Sequence, residues 1–109
     1  MTETQMHDAI NSAFQAARSA TKNYLVKHGE NDACGFAWVN VSPATSKVAK
    51  MLKKSFGAER SYRGGIDVWN PSASYTQSIT AKEEGAIAFV DIMRQKFPEV
   101  TFSACSRMD

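Results

Sequence analysis

Apolar positions recur along the chain in blocks whose period switches between helical and extended. Between Thr4 and Lys27, residues Met6, Ile10, Phe14 and Ala17 return at helical spacing, and Ala13, Tyr24 and Leu25 extend the stripe, which predicts a long first helix. Gly29 supplies its stop, because glycine readily enters the left-handed conformation in which helices often end. The stripe is narrow and alanine-rich, so this helix is expected to pack closely on a neighbouring element or on a second copy of the chain. Ala33 to Val41 then reads as a strand, with Cys34, Phe36 and Trp38 on one face and Gly35, Ala37, Val39 and Val41 on the other. Both faces are apolar or small, which predicts a central strand covered on both sides.

Ser42-Pro43 marks the next change of period, with Ser42 as a helix cap and Pro43 in the first turn, where no amide hydrogen is needed. The second helix turns Val48, Met51, Leu52 and Phe56 inward and ends at Gly57. Gly64-Gly65 leads into a short strand, Ile66 to Trp69, in which Ile66 and Val68 face one way and Asp67 and Trp69 the other. A polar loop from Asn70 to Gln77 precedes a third helix, for which Thr80 and Glu83 form a capping box. That helix buries Ala86, Val90, Met93 and Phe97, carries Arg94 and Lys96 near its end, and cannot continue through Pro98. Val100, Phe102 and Ala104 alternate with Thr101, Ser103 and Cys105 in a last, half-exposed strand.

The order α-β-α-β-α-β predicts an α/β (or α+β) domain with a three-stranded sheet packed by helices. Each β-α-β step favours parallel neighbours, so the sheet is expected to be mainly parallel, with the first strand central and strand order 2-1-3. Three short strands also admit a mixed sheet. At 109 residues the chain makes one domain over 1–109, and 43% hydrophobic with 22% charged residues is an ordinary globular composition. No run is apolar enough to span a membrane, and the polar start resembles no signal peptide. Two cysteines, Cys34 and Cys105, make no disulfide framework and fit a reducing cytoplasm.

Charge changes this picture in one place. Residues 47 to 63 hold Lys47, Lys50, Lys53, Lys54, Arg60 and Arg63 against Glu59 alone, a local +5 in a chain of net charge +2. Lys47, Lys50 and Lys54 share one helix face, which suits the phosphates of a nucleotide or nucleic acid and equally suits a solvated surface. Tyr62 and Arg63 precede the glycine pair, and Trp69 should point away from the buried residues of its own strand. An arginine beside aromatic rings can hold a phosphate and stack a base, as single-strand binders do, although no ribonucleoprotein, Walker or dinucleotide motif is present. The bland alternatives are a tight turn at Gly64-Gly65 and a Trp69 covered by the first helix. Cys34 reads as a small core residue and Cys105 as reachable, with no base beside it to activate it. Two cysteines and the histidines His7 and His28 lack metal-ligand spacing, so no metal and no cofactor is expected.

Several strings recur together: Cys34-Gly35-Phe36-Ala37-Trp38-Val39, Gly64-Gly65 before a strand ending in Trp69, Gln77-Ser78, Lys82-Glu83 and the closing Ser106-Arg107-Met108-Asp109. In this order the chain resembles a group of small tailed-bacteriophage proteins of no assigned activity. The resemblance covers residues 33 to 109, a βαβαβ core, and makes the helix over 1–29 a variable addition. It implies a phage gene product in a bacterial cytoplasm and assigns no catalytic residue. The preferred expectation is a non-enzymatic accessory protein that binds a host protein, nucleotide or nucleic acid. Lys47, Lys50, Lys54, Arg60 and Arg63 would supply attraction, Tyr62 and Trp69 stacking, and Arg107 a phosphate or carboxylate contact. The alternatives are a homo-oligomeric structural protein, a dimer among them, and a small cysteine- or carboxylate-dependent enzyme.

Overall fold

The computed structural model describes residues 1–109. The elements follow as α1 (Glu3–His28), β1 (Gly35–Ser42), α2 (Lys47–Ser55), β2 (Glu59–Arg60), β3 (Ile66–Trp69), α3 (Ile79–Lys96) and β4 (Thr101–Met108). Helix α1 begins in a capping box, the Thr2 hydroxyl accepting from the Gln5 amide and the Gln5 side chain accepting from the Thr2 amide. It ends at Gly29, whose φ is 66°.

The other two helices start at residues that the pattern did not mark. Ser42 stays extended because it pairs with Thr101 in the sheet and precedes a proline, which disfavours helical backbone. Helix α2 is instead capped by Ser46, whose hydroxyl accepts from the Ala49 amide at 3.2 Å. The Thr80–Glu83 capping box does not form either: Ser78 is the cap of α3, and Glu83 accepts from the Ser106 hydroxyl on β4.

The first turn of α3 satisfies its free amides one by one. Ile79 donates to the Ala33 carbonyl, Thr80 to Asp32 Oδ2 at 2.9 Å and Ala81 to Ser78 Oγ at 3.1 Å. The Ser78 hydroxyl also donates to Asp32, and with the Thr80 amide it lowers the Asp32 carboxyl from 3.8 to about 2. Because the folded value lies below the unfolded one, the unfolded chain binds the extra proton between them. The stabilisation is therefore complete above about pH 4 and lost as pH falls through about 2. Urea midpoints of the wild type and of Asp32→Asn should accordingly differ at pH 5 and converge towards pH 2. A constant difference across that range would remove Asp32 from the account.

The four strands form one sheet in the order β2-β3-β1-β4, with every neighbouring pair antiparallel. The expected three-stranded, mainly parallel sheet is thus corrected, while the order of its three strands, with β1 between β3 and β4, stands. The cause is β2, a polar two-residue strand without hydrophobic alternation. After α2 the chain runs along β2, turns at Ser61–Gly65 and returns as β3, so its direction reverses before it meets β1. Strands β1 and β2 are parallel, as are β3 and β4, and each pair is split by one antiparallel strand. This α+β arrangement is the βαββαβ connectivity and strand order of ferredoxin-like domains, preceded by α1. Gly65 makes the tight turn possible: its φ is 69°, and a Cβ there would run into the Val41 carbonyl oxygen of β1.

One face of the sheet is covered and the other is not. Ala37, Val39, Val41, Ile66, Val68 and Phe102 bury against the helices, together with Val48, Ala49 and Leu52 of α2 and Ala86, Phe89, Val90 and Met93 of α3. Helix α1 belongs to the same core through Ala9, Ile10, Ala13 and Ala17. Its alanine stripe lies along α3, where Thr21 Oγ1 donates to the Ala81 carbonyl at 2.7 Å. A Cβ on Gly85 would stand 2.5 Å from Thr21 Oγ1, so the glycine sets the closeness of the two helices. The opposite face of β1 carries no helix, which corrects the expectation of a strand covered twice. No helix is long and apolar enough to cross a membrane.

Candidate functional site on the open sheet face

Side chains that point away from the helices form rows across the uncovered face. Trp69, Trp38 and Cys105 occupy one row, Asp67, Asn40 and Ser103 the next, and Phe36 and Arg107 a third. Trp38 and Trp69 are direct partners on adjacent central strands. Asn70 N donates to the Ala37 carbonyl, so the tryptophans fall at the neighbouring non-hydrogen-bonded position, where antiparallel side chains come closest. Their ring centroids are 4.7 Å apart at 31°. Trp69 is 48% exposed and Trp38 half-buried, so the pair forms an apolar step open to solvent and uncovered by α1.

The second row is polar and tied down. Asn40 Nδ2 donates both to Asp67 Oδ1 and to the Gly64 carbonyl, each at 3.0 Å. These bonds anchor the β2–β3 turn, on which Tyr62 and Arg63 stand, against β1. Tyr62 is 92% exposed and Arg63 is exposed. At the other end of β1, Phe36 is 39% exposed and meets two cations. The Arg107 guanidinium lies 5.6 Å from its ring centroid and Lys82 Nζ 5.5 Å, within cation–π range. Lys82 also donates to the Gly35 carbonyl at 3.0 Å.

Trp38, Asn40, Tyr62, Arg63, Asp67, Trp69, Ser103, Cys105 and Arg107 line an open cavity of about 820 Å³. Four of the residues singled out in the sequence therefore come together: Tyr62, Arg63, Trp69 and Arg107. The other four do not join them. Helix α2 packs on the covered side through Val48, Ala49 and Leu52, so Lys47, Lys50 and Lys54 face solvent beyond the sheet from the tryptophans. Arg60 pairs with the inward-facing Ile66 and shares its side of the sheet. Sequence reasoning missed Phe36, Trp38, Asn40, Asp67 and Lys82. The signal was the polar Asn40, two residues after Trp38 on one face, opposite the uniformly aliphatic Ala37, Val39 and Val41.

Burial pushes the Cys105 thiol above its ordinary range, and the nearby Asp67 carboxylate adds to the effect, so the thiolate that a nucleophile needs is disfavoured. Cys34 is exposed, against the expectation of a core residue, and its thiol lies 3.5 Å from Gln77 Oε1. His7 and His28 both lie on α1. No group of three or more metal-ligating side chains is assembled anywhere in the chain. Fold and site together define an α+β domain of βαββαβ connectivity with an aromatic, cation-flanked open sheet. No protein-family profile, curated protein or solved structure matches this chain.

Proposed function

We propose that the protein binds single-stranded nucleic acid on the open face of its sheet. The observation that carries this reading is the Trp38–Trp69 step on the two central strands, open to solvent while the opposite face is sealed by helices. Bases offer flat apolar faces that stack on such rings whatever their sequence, which makes paired aromatics on a sheet a platform for single strands. Phe36 and Tyr62 extend it towards either end. Arg63, Arg107 and Lys82 stand around the rings, where the phosphates of a stacked strand would pass. Duplex DNA fits poorly, since its bases are already stacked on one another. The bacteriophage setting implied by the ordered sequence strings agrees with this activity: an accessory protein that occupies exposed single strands needs no catalytic group.

The reading moves the working charges from helix α2 to the sheet. Arg63→Gln combined with Arg107→Gln should weaken binding of a labelled eight-nucleotide RNA and flatten its dependence on salt. Two lost phosphate contacts at about 0.7 each lower the slope of log K against log salt by about 1.4. Lys47→Gln, Lys50→Gln and Lys54→Gln together should leave affinity within about twofold, measured by fluorescence anisotropy between low and moderate salt. Loss of binding in the lysine variant with retention in the arginine variant would contradict the proposal.

A further inference from the structure

The polar row beside the tryptophans has a donor–acceptor pattern of its own. Both hydrogens of the Asn40 amide are used, one on the Gly64 carbonyl and one on Asp67 Oδ1. Both partners are acceptors, so the amide nitrogen must face them. Asn40 and Asp67 thus leave only acceptors free, Asn40 Oδ1, Asp67 Oδ2 and the remaining lone pairs of the carboxylate, while Ser103, on the other side of Asn40, keeps a hydroxyl that can donate or accept. Asp67 is half-buried and sits two residues before Trp69 on the same face, about 7 Å along the strand. A base stacked on the tryptophans would turn one edge towards it.

A carboxylate on a nucleic-acid platform repels phosphates, and Asn40 occupies only one lone pair of Asp67, so the remaining ones suit a ligand that donates. Guanine alone among the four common bases presents two adjacent donors, N1–H and N2–H, spaced to meet both oxygens of one carboxylate. Adenine and cytosine each offer an amino group beside a ring nitrogen that accepts, and uracil offers one N–H between two carbonyls. Resting on the single-strand reading above, we propose that this face selects guanine, with Asp67 accepting from N1–H and N2–H of a base stacked on the Trp38–Trp69 step.

Eight-nucleotide uridine RNAs that differ in one central base, G, A, C or U, test this by anisotropy. Wild-type protein should bind the guanine oligomer roughly tenfold more tightly than the others, the usual size of one bidentate base contact. Asp67→Asn should erase that preference and bind the same RNA better when xanthine replaces guanine. Xanthine exchanges the N2 amino donor for a carbonyl, which matches a carboxamide and not a carboxylate. A residue that merely braced the turn would weaken all oligomers alike and gain nothing for xanthine, and that result would overturn the proposal. Equal wild-type affinity for all four oligomers would overturn it too, while leaving single-strand binding intact. No binding of any oligomer would overturn both.

Discussion

Trp69→Ala should weaken the binding of a single-stranded oligonucleotide roughly 5- to 150-fold while the protein stays folded. Alanine substitution at a base-stacking aromatic typically costs about 1–3 kcal/mol, and each 1.4 kcal/mol is about tenfold in affinity. Trp69 is a favourable place to see the full effect, because its 48% exposure keeps it out of the core and its removal opens no cavity. It also strips the open side of the paired step, leaving Trp38 without its partner 4.7 Å away. Trp69→Phe keeps a π face of smaller area and should lose only part of the affinity. Anisotropy with the eight-nucleotide RNA gives the affinity, and a melting curve of each variant confirms the fold. Unchanged affinity in a folded Trp69→Ala protein would remove the tryptophan step from the site.

The largest effect on stability is expected at Phe89, on the sealed side of the same sheet. Phe89 is fully buried on α3 and meets Phe14 of α1 edge-on at 4.9 Å. Phe14 in turn stacks on Phe56, at the end of α2, at 5.4 Å. One run of three rings thus ties all three helices together. Phe89→Ala leaves a cavity where that run ends and should cost about 3–5 kcal/mol, set against about 5–15 kcal/mol for a whole domain. At roughly 4–8 °C per kcal/mol for small domains, the midpoint of thermal unfolding should fall by about 12 °C or more. Phe89→Leu fills most of the space and should lose much less. Thermal unfolding followed by far-ultraviolet circular dichroism reads both, and a Phe89→Ala midpoint within a few degrees of wild type would contradict this packing.

The pattern of the sequence revealed the elements and the order of the three longer strands, because each depends on local periodicity. Ala13 and Ala17 mark the stripe on α1, Val90 and Met93 that on α3, and Pro98 ends the latter. Direction in the sheet was hidden because it turns on Glu59–Arg60, two polar residues whose strand exists only through pairing with β3. The start of α3 was hidden for a similar reason. Asp32 lies 46 residues from Ser78 along the chain and reaches it only once β1 and α3 have come together. At the site, Tyr62, Arg63, Trp69 and Arg107 were legible as exposed aromatic and cationic side chains. The lysines of α2 formed an equally plain signal, and only the fold separates the two groups. Trp38 was concealed by an ambiguity of type: an aromatic residue in a central strand serves a buried face as readily as an open one. Which it serves is decided by whether a helix lies over it.

The central claim, that single strands lie across the uncovered sheet face, is tested most directly by nuclear magnetic resonance. Amide and indole N–H shifts of ¹⁵N-labelled protein would be recorded during titration with the eight-nucleotide RNA. The account predicts that both tryptophan indole signals move, together with the amides of Phe36, Asn40, Tyr62, Arg63, Asp67 and Arg107, while those of Lys47, Lys50 and Lys54 stay in place. Shifts confined to helix α2, with both indole signals stationary, would contradict it.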